Sequence, residues 1–390
     1  MIEAIVVGAG FSGAVIARHL AVNKNKKVLL LDKRNHIAGN MYDKVDENGI
    51  IVQQYGPHIF HTNNERVYNY IKQFGTWENF FLECMVFMNG KYTNSPFNFK
   101  TIDDYYEKDK AELLKERIGK YYNGLEKTTI VEMLNCEDEI IRGYAKFLFD
   151  NDYSLYTAKQ WGISPSEIDI SVLKRVPVLF SYNTGYFDDL YQCMPVGGFT
   201  NVIEDILNHP NIEIKLNTNV KDYLEFDLKD SVIKKDGTVL KVPVVYTGAL
   251  DELSDYKFGL LPYRSLYFEY KTENIKSYQK APVVAYPQAK SFTRITEYNK
   301  LPKQESIKTT IAVEYPIQYN LDGASEPYYP IITEDNQNKY NKYKSLFDKI
   351  DNIFICGRLA DYKYYNMDQV INRALEVCDN LDLWFSSKMN

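Results

Sequence analysis

The sequence predicts a mixed α/β protein in which segments far apart in the chain complete one nucleotide-binding domain. Three observations predict this arrangement. A strand, a glycine-rich turn, a helix and a second strand occupy the first 32 residues, and a mainly helical stretch follows to about residue 170. Short β-like runs between residues 258 and 320 predict an antiparallel sheet. A last strand, glycine and helix follow residue 351.

The first element is an apolar run at residues 2–7 (IEAIVV), followed by the turn GAGFSG, a helical stretch and a second apolar run. This order is the dinucleotide-binding fingerprint of a Rossmann-like domain. Gly8 permits a tight turn, Gly10 lets a pyrophosphate approach the backbone, and Gly13 lets helix and strand pack closely. The N–H groups at the helix start then face the phosphates. Asp32, 19 residues after Gly13, is placed to accept hydrogen bonds from ribose hydroxyls.

Composition excludes several classes of protein. A chain of 390 residues predicts two or three structural units, and its net charge of −6 argues against general nucleic-acid binding. No apolar run approaches the roughly 18 residues of a membrane span, and a strand at the very start predicts no signal peptide. The five scattered cysteines form no CxxC pair. We therefore expect a cytoplasmic protein without a disulfide framework, a structural metal or a membrane anchor.

The chain predicts three interleaved units. They are a nucleotide-binding domain at residues 1–65, 195–250 and 345–390, a mainly helical domain at 66–170, and an antiparallel sheet or substrate domain at 171–194 and 251–344. A hairpin at 84–93, with Asn89-Gly90 at its turn, interrupts the helical part and is predicted to join the sheet.

The interleaving favours FAD over a nicotinamide cofactor. A simple dehydrogenase keeps its dinucleotide domain contiguous, whereas this chain places the completing strand (NIFIC), Gly357 and a helix at its C-terminal end. The ADP half would bind the N-terminal motif, and the flavin ring would lie near the last helix. The start of that helix, at residues 367–370, is suited to stabilise negative charge on a reduced ring.

The chain resembles the UDP-galactopyranose mutase family. The matching stretches occur in family order from residue 5 to 375 and are VGAGFSGAV, DKRNHIAGN, YGPHIFHTN, YTAKQWG, LKRVPV, PVGGFT, YTGALDELSDYKFG, LPYRSL, FTRITE, EYP, EPYYP and GRLADYKYYNMDQVI. The resemblance implies a Rossmann-like FAD-binding domain with an inserted helical domain and an antiparallel β-sheet domain.

The resemblance also implies an activity. Members interconvert UDP-galactopyranose and UDP-galactofuranose by ring contraction, which supplies galactofuranose for cell-surface polysaccharide. The cofactor is FAD in its reduced form, whose N5 attacks the anomeric carbon without net redox. The sequence contains no Ser-His-Asp arrangement or metal cluster that would suggest a different nucleophile. A homodimer and an unidentified flavin reductant are the implied partners.

Residues of the family's substrate site are carried over by motif. Arg175 (LKRVPV) and Arg294 (FTRITE) match the two pyrophosphate arginines and are the predicted catalytic side chains, Arg175 in a segment resembling the family's mobile loop. Tyr156 would stack on uracil. The other predicted substrate residues are Thr157 and Trp161 at the uridine pocket, Tyr186, Tyr328 and Tyr364 at the phosphates, and Asn94 and Glu314 elsewhere in the pocket.

Cofactor residues follow in the same way. The ADP half is assigned Asp32, Lys33 and Asn40. The full predicted set is Gly8, Gly10, Ser12, Gly13, Asp32, Lys33, Asn40, His58, Ile59, Val220, Gly357, Arg358, Asn366, Met367, Gln369 and Val370. His58 and His61 have HxxH spacing, but no further ligands accompany them, so a flavin-side role is preferred to a metal site.

Four positions depart from the family pattern and leave the sugar preference open. Asp32 replaces the usual Glu, Ala38 a Gly and Asn366 an Asp, and Ala285 stands near a position often held by Asn. One alternative is a mutase preferring UDP-N-acetylgalactosamine. Two others are a flavin oxidoreductase of amine-oxidase-like architecture and a non-catalytic protein that binds a nucleotide sugar or flavin.

Overall fold

The computed structural model describes residues 1–162, 173, 176–321, 323 and 325–388. None of the helices in this part of the chain is long and apolar enough to cross a membrane. The α-helices span Phe11–Val22, Glu65–Ile71, Phe99–Tyr105, Lys108–Tyr121, Ile130–Leu134, Glu139–Leu148, Ser154–Trp161, Phe199–Leu207, Val220–Tyr223, Leu250–Leu253, Glu334–Phe347 and Met367–Lys388, with a 3-10 turn at Gly39–Met41 and a π-helix at Phe149–Tyr153.

Described strands from four separate stretches of the chain form one parallel sheet. Its order is Ile212–Lys215, Val28–Leu31, Ala4–Val7, Val244–Tyr246 and Ile353–Ile355. Ala4 and Val6 pack in one hydrophobic cluster with the first helix, whereas Ile5 and Val7 pack in a second cluster on the other face. Burial on both faces explains the continuous apolar runs of the central strands. The predicted mixed α/β fold with a Rossmann-like domain is confirmed.

A second, mainly antiparallel sheet contains the predicted hairpin. Its order is Tyr329–Pro330, Tyr263–Glu273, Thr309–Gln318, Arg294–Glu297, Val283–Ala285, Cys84–Met88 and Lys91–Ser95. The hairpin lies at one edge, where Cys84–Met88 pairs in parallel with Val283–Ala285. Asn89 and Gly90 have φ of 49° and 76°, as a two-residue hairpin turn requires.

The strands near residues 177 and 191 pair with other partners than the predicted domain division implies. They were expected in the antiparallel sheet unit, but Pro177–Leu179 pairs with Lys127–Thr129, and Tyr191–Pro195 lies between Phe60–Thr62 and Trp77–Asn79. An alternating pattern predicts a strand without specifying its partner. The remaining small sheets are Asp43–Val45 with Ile51–Gln53, and Glu225–Asp227 with Val232–Lys235 and Thr238–Val239.

The parallel sheet brings chemically important residues to one edge. Gly8, Asp32, Thr247 and Gly357 lie within two residues of the carboxyl ends of four parallel strands. In open α/β sheets, ligands bind in the crevice outside these carboxyl ends. The fold therefore gathers residues from the two ends of the chain at a single candidate site.

Candidate functional site

A cavity lies at the carboxyl ends of the parallel strands and is called here the strand-end cavity. It contains most of the predicted cofactor residues. Those in its wall are Gly8, Gly10, Ser12, Asp32, Lys33, Asn40, Val220, Gly357, Arg358, Met367 and Val370.

The three glycines of the turn have different structural roles. Gly8 has φ of +106°, and a Cβ there would lie 1.9 Å from Thr247 Oγ1. A Cβ at Gly13 would lie 1.8 Å from the Gly8 carbonyl oxygen, so this glycine permits the helix to pack on the turn. A Cβ at Gly10 would meet only Gly39 Cα, at 3.7 Å. Gly10 therefore leaves room for a ligand rather than for the protein's own packing.

Asp32 ties the turn to the end of the second strand. Its Oδ2 accepts a hydrogen bond from Ala9 N at 2.7 Å, and its Oδ1 accepts one from Arg34 N at 2.8 Å. Each carboxylate oxygen can accept a further hydrogen bond. Because Asp32 also lines the strand-end cavity, it can accept from ligand hydroxyls while remaining fixed by the backbone.

Arg34, which was not among the predicted site residues, joins distant parts of this cavity. Its guanidinium donates to Glu326 Oε2 at 2.8 Å and to Asn40 Oδ1 at 3.0 Å. Burial would lower the pKa of Arg34, but the charge of Glu326 raises it overall. Glu326 lies just before the two tyrosines of the EPYYP stretch, so the ion pair anchors that segment to the Rossmann-like domain.

A second cavity, the central cavity, adjoins the first. Arg358 and Met367 line both. Helix Ser154–Trp161, the antiparallel sheet and the start of helix Met367–Lys388 contribute to its wall. Predicted residues in the wall are His58, Ile59, Tyr156, Thr157, Tyr186, Arg294, Arg358, Tyr364, Asn366 and Met367.

Arg294 provides a fixed positive charge in the central cavity. Its Nε donates to Glu314 Oε2 at 2.7 Å, and its Nη2 forms an ion pair with the same oxygen at 2.7 Å. Glu314 is 2% exposed and also accepts from Thr293 Oγ1 at 3.1 Å. The charge of Glu314 keeps the pKa of Arg294 well above its usual value. Ala285, one of the departures from the family pattern, pairs across the strands with Arg294 and also lines the cavity.

A second cation lies where the two cavities meet. Arg358 donates to the Tyr365 carbonyl oxygen at 2.6 Å, and its guanidinium lies 5.7 and 5.3 Å from the ring centroids of Tyr329 and Tyr364. Burial and the nearby Arg358 charge lower the pKa of His58 to about 3. The His58 imidazole is therefore neutral at physiological pH, and it can form a hydrogen bond without adding a charge to the cavity.

Some predicted residues lie outside the described wall of the central cavity. Arg175 lies outside the described residues, and so does the side chain of Trp161. Glu314 pairs with Arg294, and Asn94 is buried opposite Met85. The predicted cofactor residues Gly13 and Gln369 line neither cavity; Gln369 Oε1 accepts from the Asn366 N–H at 2.9 Å.

Tyr329 lies in the wall of the central cavity, at the position predicted for Tyr328. Tyr329 lines the central cavity, whereas Tyr328 is 5% exposed and its ring faces Tyr55 and Phe268. Successive side chains of an extended segment point to opposite faces, so only one of two adjacent tyrosines can face the cavity. The two adjacent tyrosines of EPYYP indicate that one of them lines the cavity, but the sequence does not determine which of the two faces inward.

This difference gives a direct test by mutation. We expect Tyr329→Phe to lower kcat/KM by about tenfold, because it removes a hydroxyl donor to an anionic ligand. Tyr328→Phe, as the matched control, should change kcat/KM by less than about twofold. Steady-state kinetics of both variants checks this, and the reverse order of effects would contradict the assignment.

His61 makes a polar contact with Asp189 and stacks on Phe187. Its Nδ1 lies 2.7 Å from Asp189 Oδ2, and its ring stacks on Phe187 with centroids 3.7 Å apart. The described residues contain no group of three or more His, Cys, Asp or Glu that could hold a metal ion.

Comparison with known proteins identifies the family. The family model for UDP-galactopyranose mutase matches residues 152–364, and a model for an NAD(P)-binding Rossmann-like domain matches residues 6–74. The chain is 37% identical over 389 residues to the UDP-galactopyranose mutase of Mycoplasma genitalium, covering 97% of this chain and 94% of that protein. The chain belongs to the UDP-galactopyranose mutase family.

One further relative and one solved structure show how varied the similar proteins are. A dTDP-fucopyranose mutase of Escherichia coli is 36% identical over 378 residues, which covers 96% of this chain and 97% of that protein. A crystal structure of reduced UDP-galactopyranose mutase has a TM-score of 0.71 at 16% identity, covering 98% and 94% of the two chains. The resemblance inferred from the sequence is thus confirmed, and this UDP-galactopyranose mutase family member is an isomerase.

Proposed function

We propose that this protein binds FAD across the strand-end and central cavities and interconverts UDP-galactopyranose and UDP-galactofuranose. The observation that carries the proposal is the fixed Arg294 cation in a cavity that adjoins the dinucleotide site through Arg358 and Met367. A diphosphate held at Arg294 would lie in the same cavity as His58 and Met367, which are predicted to lie beside the flavin ring.

The residues present fit FAD. Gly10 lines the strand-end cavity, and a Cβ there would meet only Gly39 Cα, at 3.7 Å, which suits the approach of a pyrophosphate. Asp32 lines the same cavity and is placed for the ribose. Asn366, Met367 and Val370, at the start of a long helix, would lie beside the flavin ring. When bound and reduced, FAD supplies a nucleophilic nitrogen for the anomeric carbon and undergoes no net oxidation.

The protein's own side chains would hold and release the nucleotide. Arg294 pairs with the diphosphate, whose negative charge grows as the bond to the sugar breaks. Glu314 fixes the direction of that guanidinium, while Tyr329 and Tyr364 offer hydroxyl groups to phosphate oxygens. Holding the departing nucleotide in place allows it to return to the same sugar after the ring has changed.

A second candidate substrate is a dTDP-linked 6-deoxyhexose. The equally similar Escherichia coli relative is a dTDP-fucopyranose mutase, so overall identity does not separate the two nucleotide sugars. UDP-N-acetylgalactosamine remains a third alternative, because Ala285 and Asn366 depart from the family pattern inside the central cavity.

A competition assay tests the proposed substrate. Reduced holoenzyme is incubated with equal concentrations of UDP-galactofuranose, dTDP-fucofuranose and the furanose form of UDP-N-acetylgalactosamine, and the products are separated by chromatography. We expect the UDP-galactose pair to show the highest kcat/KM. Faster conversion of either competitor would identify that competitor as the substrate, while the class of reaction would stay the same. If none of the three compounds is converted, the proposed function is contradicted.

A further inference from the structure

Asp152 is a carboxyl group in the central cavity to which the proposed reaction assigns no role. It is the one Asp or Glu among the described residues of that wall. Apolar and aromatic wall residues from the same hydrophobic cluster accompany it, namely Val86, Phe97, Tyr153, Leu173 and Val176. A lone carboxyl in such surroundings needs a hydrogen-bonding partner or a proton of its own.

The protein supplies no such partner among the described residues. Lys159, whose charge acts on Asp152, directs its Nζ to the carbonyl oxygens of Tyr286, Ala289 and Phe292 at 2.7–2.8 Å. None of the described ion pairs or hydrogen bonds reaches the Asp152 carboxyl group. The half-buried Asp152 carboxyl group, which lines the cavity, is thus open to a hydrogen bond from a ligand there.

The charged groups that act on His58 and on Tyr156 indicate which part of a nucleotide sugar would meet Asp152. At one end, His58 lies within the electrostatic reach of both Arg358 and Arg294. At the other, Tyr156 lies within the reach of Arg294 and Asp152. A sugar at the flavin side and a diphosphate at Arg294 leave the base for the end formed by Tyr156 and Asp152, which are four residues apart on one helical segment.

We propose that Asp152 is a specificity-determining residue that recognises the imide edge of a uracil or thymine base in its neutral, protonated form. One carboxyl oxygen accepts the N3–H hydrogen bond, and the protonated oxygen donates to the adjacent ring carbonyl. This inference rests on the proposed function in one respect, namely that the central cavity holds a pyrimidine nucleotide sugar.

The electrostatics of the site agree with a neutral acid. Burial raises the pKa of Asp152 to about 7, although the positive charge of Lys159 opposes the shift. Burial also lowers the pKa of Lys159 to about 8, so this group titrates in the same range. The other titratable groups that interact with Asp152 within the described part of the chain are Tyr153, Tyr156 and Tyr105, and burial raises the pKa of each. Binding should therefore weaken as the pH rises through 7, because the acid loses the proton that it donates.

Two variants of similar size separate hydrogen bonding from packing. Asp152→Asn keeps one donor and one acceptor at every pH, whereas Asp152→Leu removes both. Calorimetry on oxidised holoenzyme with UDP-galactose, which has no phosphate group titrating near neutrality, measures affinity at pH 6.0 and 8.5. For the wild type we expect at least about a tenfold loss between these pH values, as for a group of pKa about 7.

Asp152→Asn should lose most of the pH dependence of UDP-galactose binding, with only the nearby Lys159 left to titrate, and should bind more tightly than the wild type at pH 8.5. Asp152→Leu should bind about tenfold or more weakly than the wild type at pH 6.0, since the imide edge is left unpaired. Repeating the comparison of the variants at pH 6.0 alone with dTDP, which lacks the ribose 2′-hydroxyl, should give the same ranking, because the terminal phosphate of dTDP is then in the same state for every variant.

Other outcomes would overturn the inference in distinguishable ways. If the wild type binds UDP-galactose but Asp152→Asn and Asp152→Leu behave alike, the base-recognition role is wrong and the proposed function stands. If the dependence on Asp152 disappears with dTDP, the group contacts the ribose hydroxyl instead. If the folded, flavin-containing wild type binds neither UDP-galactose nor dTDP at pH 6.0, both the proposed function and this inference fail.

Discussion

Replacement of Arg294 by alanine is expected to leave the flavin bound and to lower kcat by about 100-fold to 1000-fold, or about 3–4 kcal/mol in the barrier. The guanidinium is the fixed cation opposite the position proposed for the departing diphosphate. Its contribution grows as the sugar–phosphate bond breaks, so the loss should appear in kcat as well as in KM. Flavin absorbance and steady-state kinetics on the same sample measure both quantities.

The same substitution also leaves Glu314 buried without its cation. Breaking such a pair destabilises a protein by up to about 3 kcal/mol, although the Thr293 hydroxyl still donates to Glu314. The double variant Arg294→Ala/Glu314→Gln removes the unpaired charge and should recover stability but not turnover. Arg117→Ala, at an exposed ion pair with Asp138, is the control that should change neither. Recovery of turnover in the double variant would show that the Arg294 guanidinium is not needed for catalysis.

Gly10→Val is expected to produce a folded protein that has lost its flavin. The missing Cβ of Gly10 faces the strand-end cavity and meets only Gly39 Cα, at 3.7 Å. A side chain there would displace the pyrophosphate from the backbone N–H groups and weaken flavin binding enough for the flavin to be lost during gel filtration. Flavin absorbance per chain after gel filtration gives the occupancy, and activity should fall in proportion.

Two other glycines provide the controls for this prediction. Gly119→Val, on an exposed helix face with no atom near its Cβ, should retain full flavin content. Gly13→Ala places a Cβ 1.8 Å from the Gly8 carbonyl oxygen, so it should lower Tm even in the flavin-free protein. A normal flavin content in Gly10→Val would contradict the assignment of the strand-end cavity to the cofactor.

The Rossmann-like part of the fold could be predicted because its signals are local. Strand, glycine turn, helix and strand follow one another without interruption, and each apolar run is buried on both faces of the sheet. The partners of Pro177–Leu179 and Tyr191–Pro195 could not be predicted, because pairing over long sequence distances depends on packing that no local pattern encodes.

The candidate site was predictable to the extent that motifs fix single residues. Arg294 was located by its motif, but that Glu314 is its buried partner became clear only from the pairing of the two strands.

At Ala38 the structure instead explains a position of the motif. Its φ of +71° explains why the family pattern has glycine there, since glycine adopts that conformation without strain. Asp152 carried no motif signal, because its chemistry arises from burial within the folded cavity.

The most direct test of the proposed function is the redox dependence of turnover. Flavin-containing protein is incubated with UDP-galactofuranose in two portions, one oxidised and one reduced with dithionite, and UDP-galactopyranose is quantified by chromatography. The proposed function predicts conversion in the reduced portion alone, with activity lost again when the flavin is reoxidised. Equal conversion in both portions, or none in a reduced portion that retains its flavin, would contradict it.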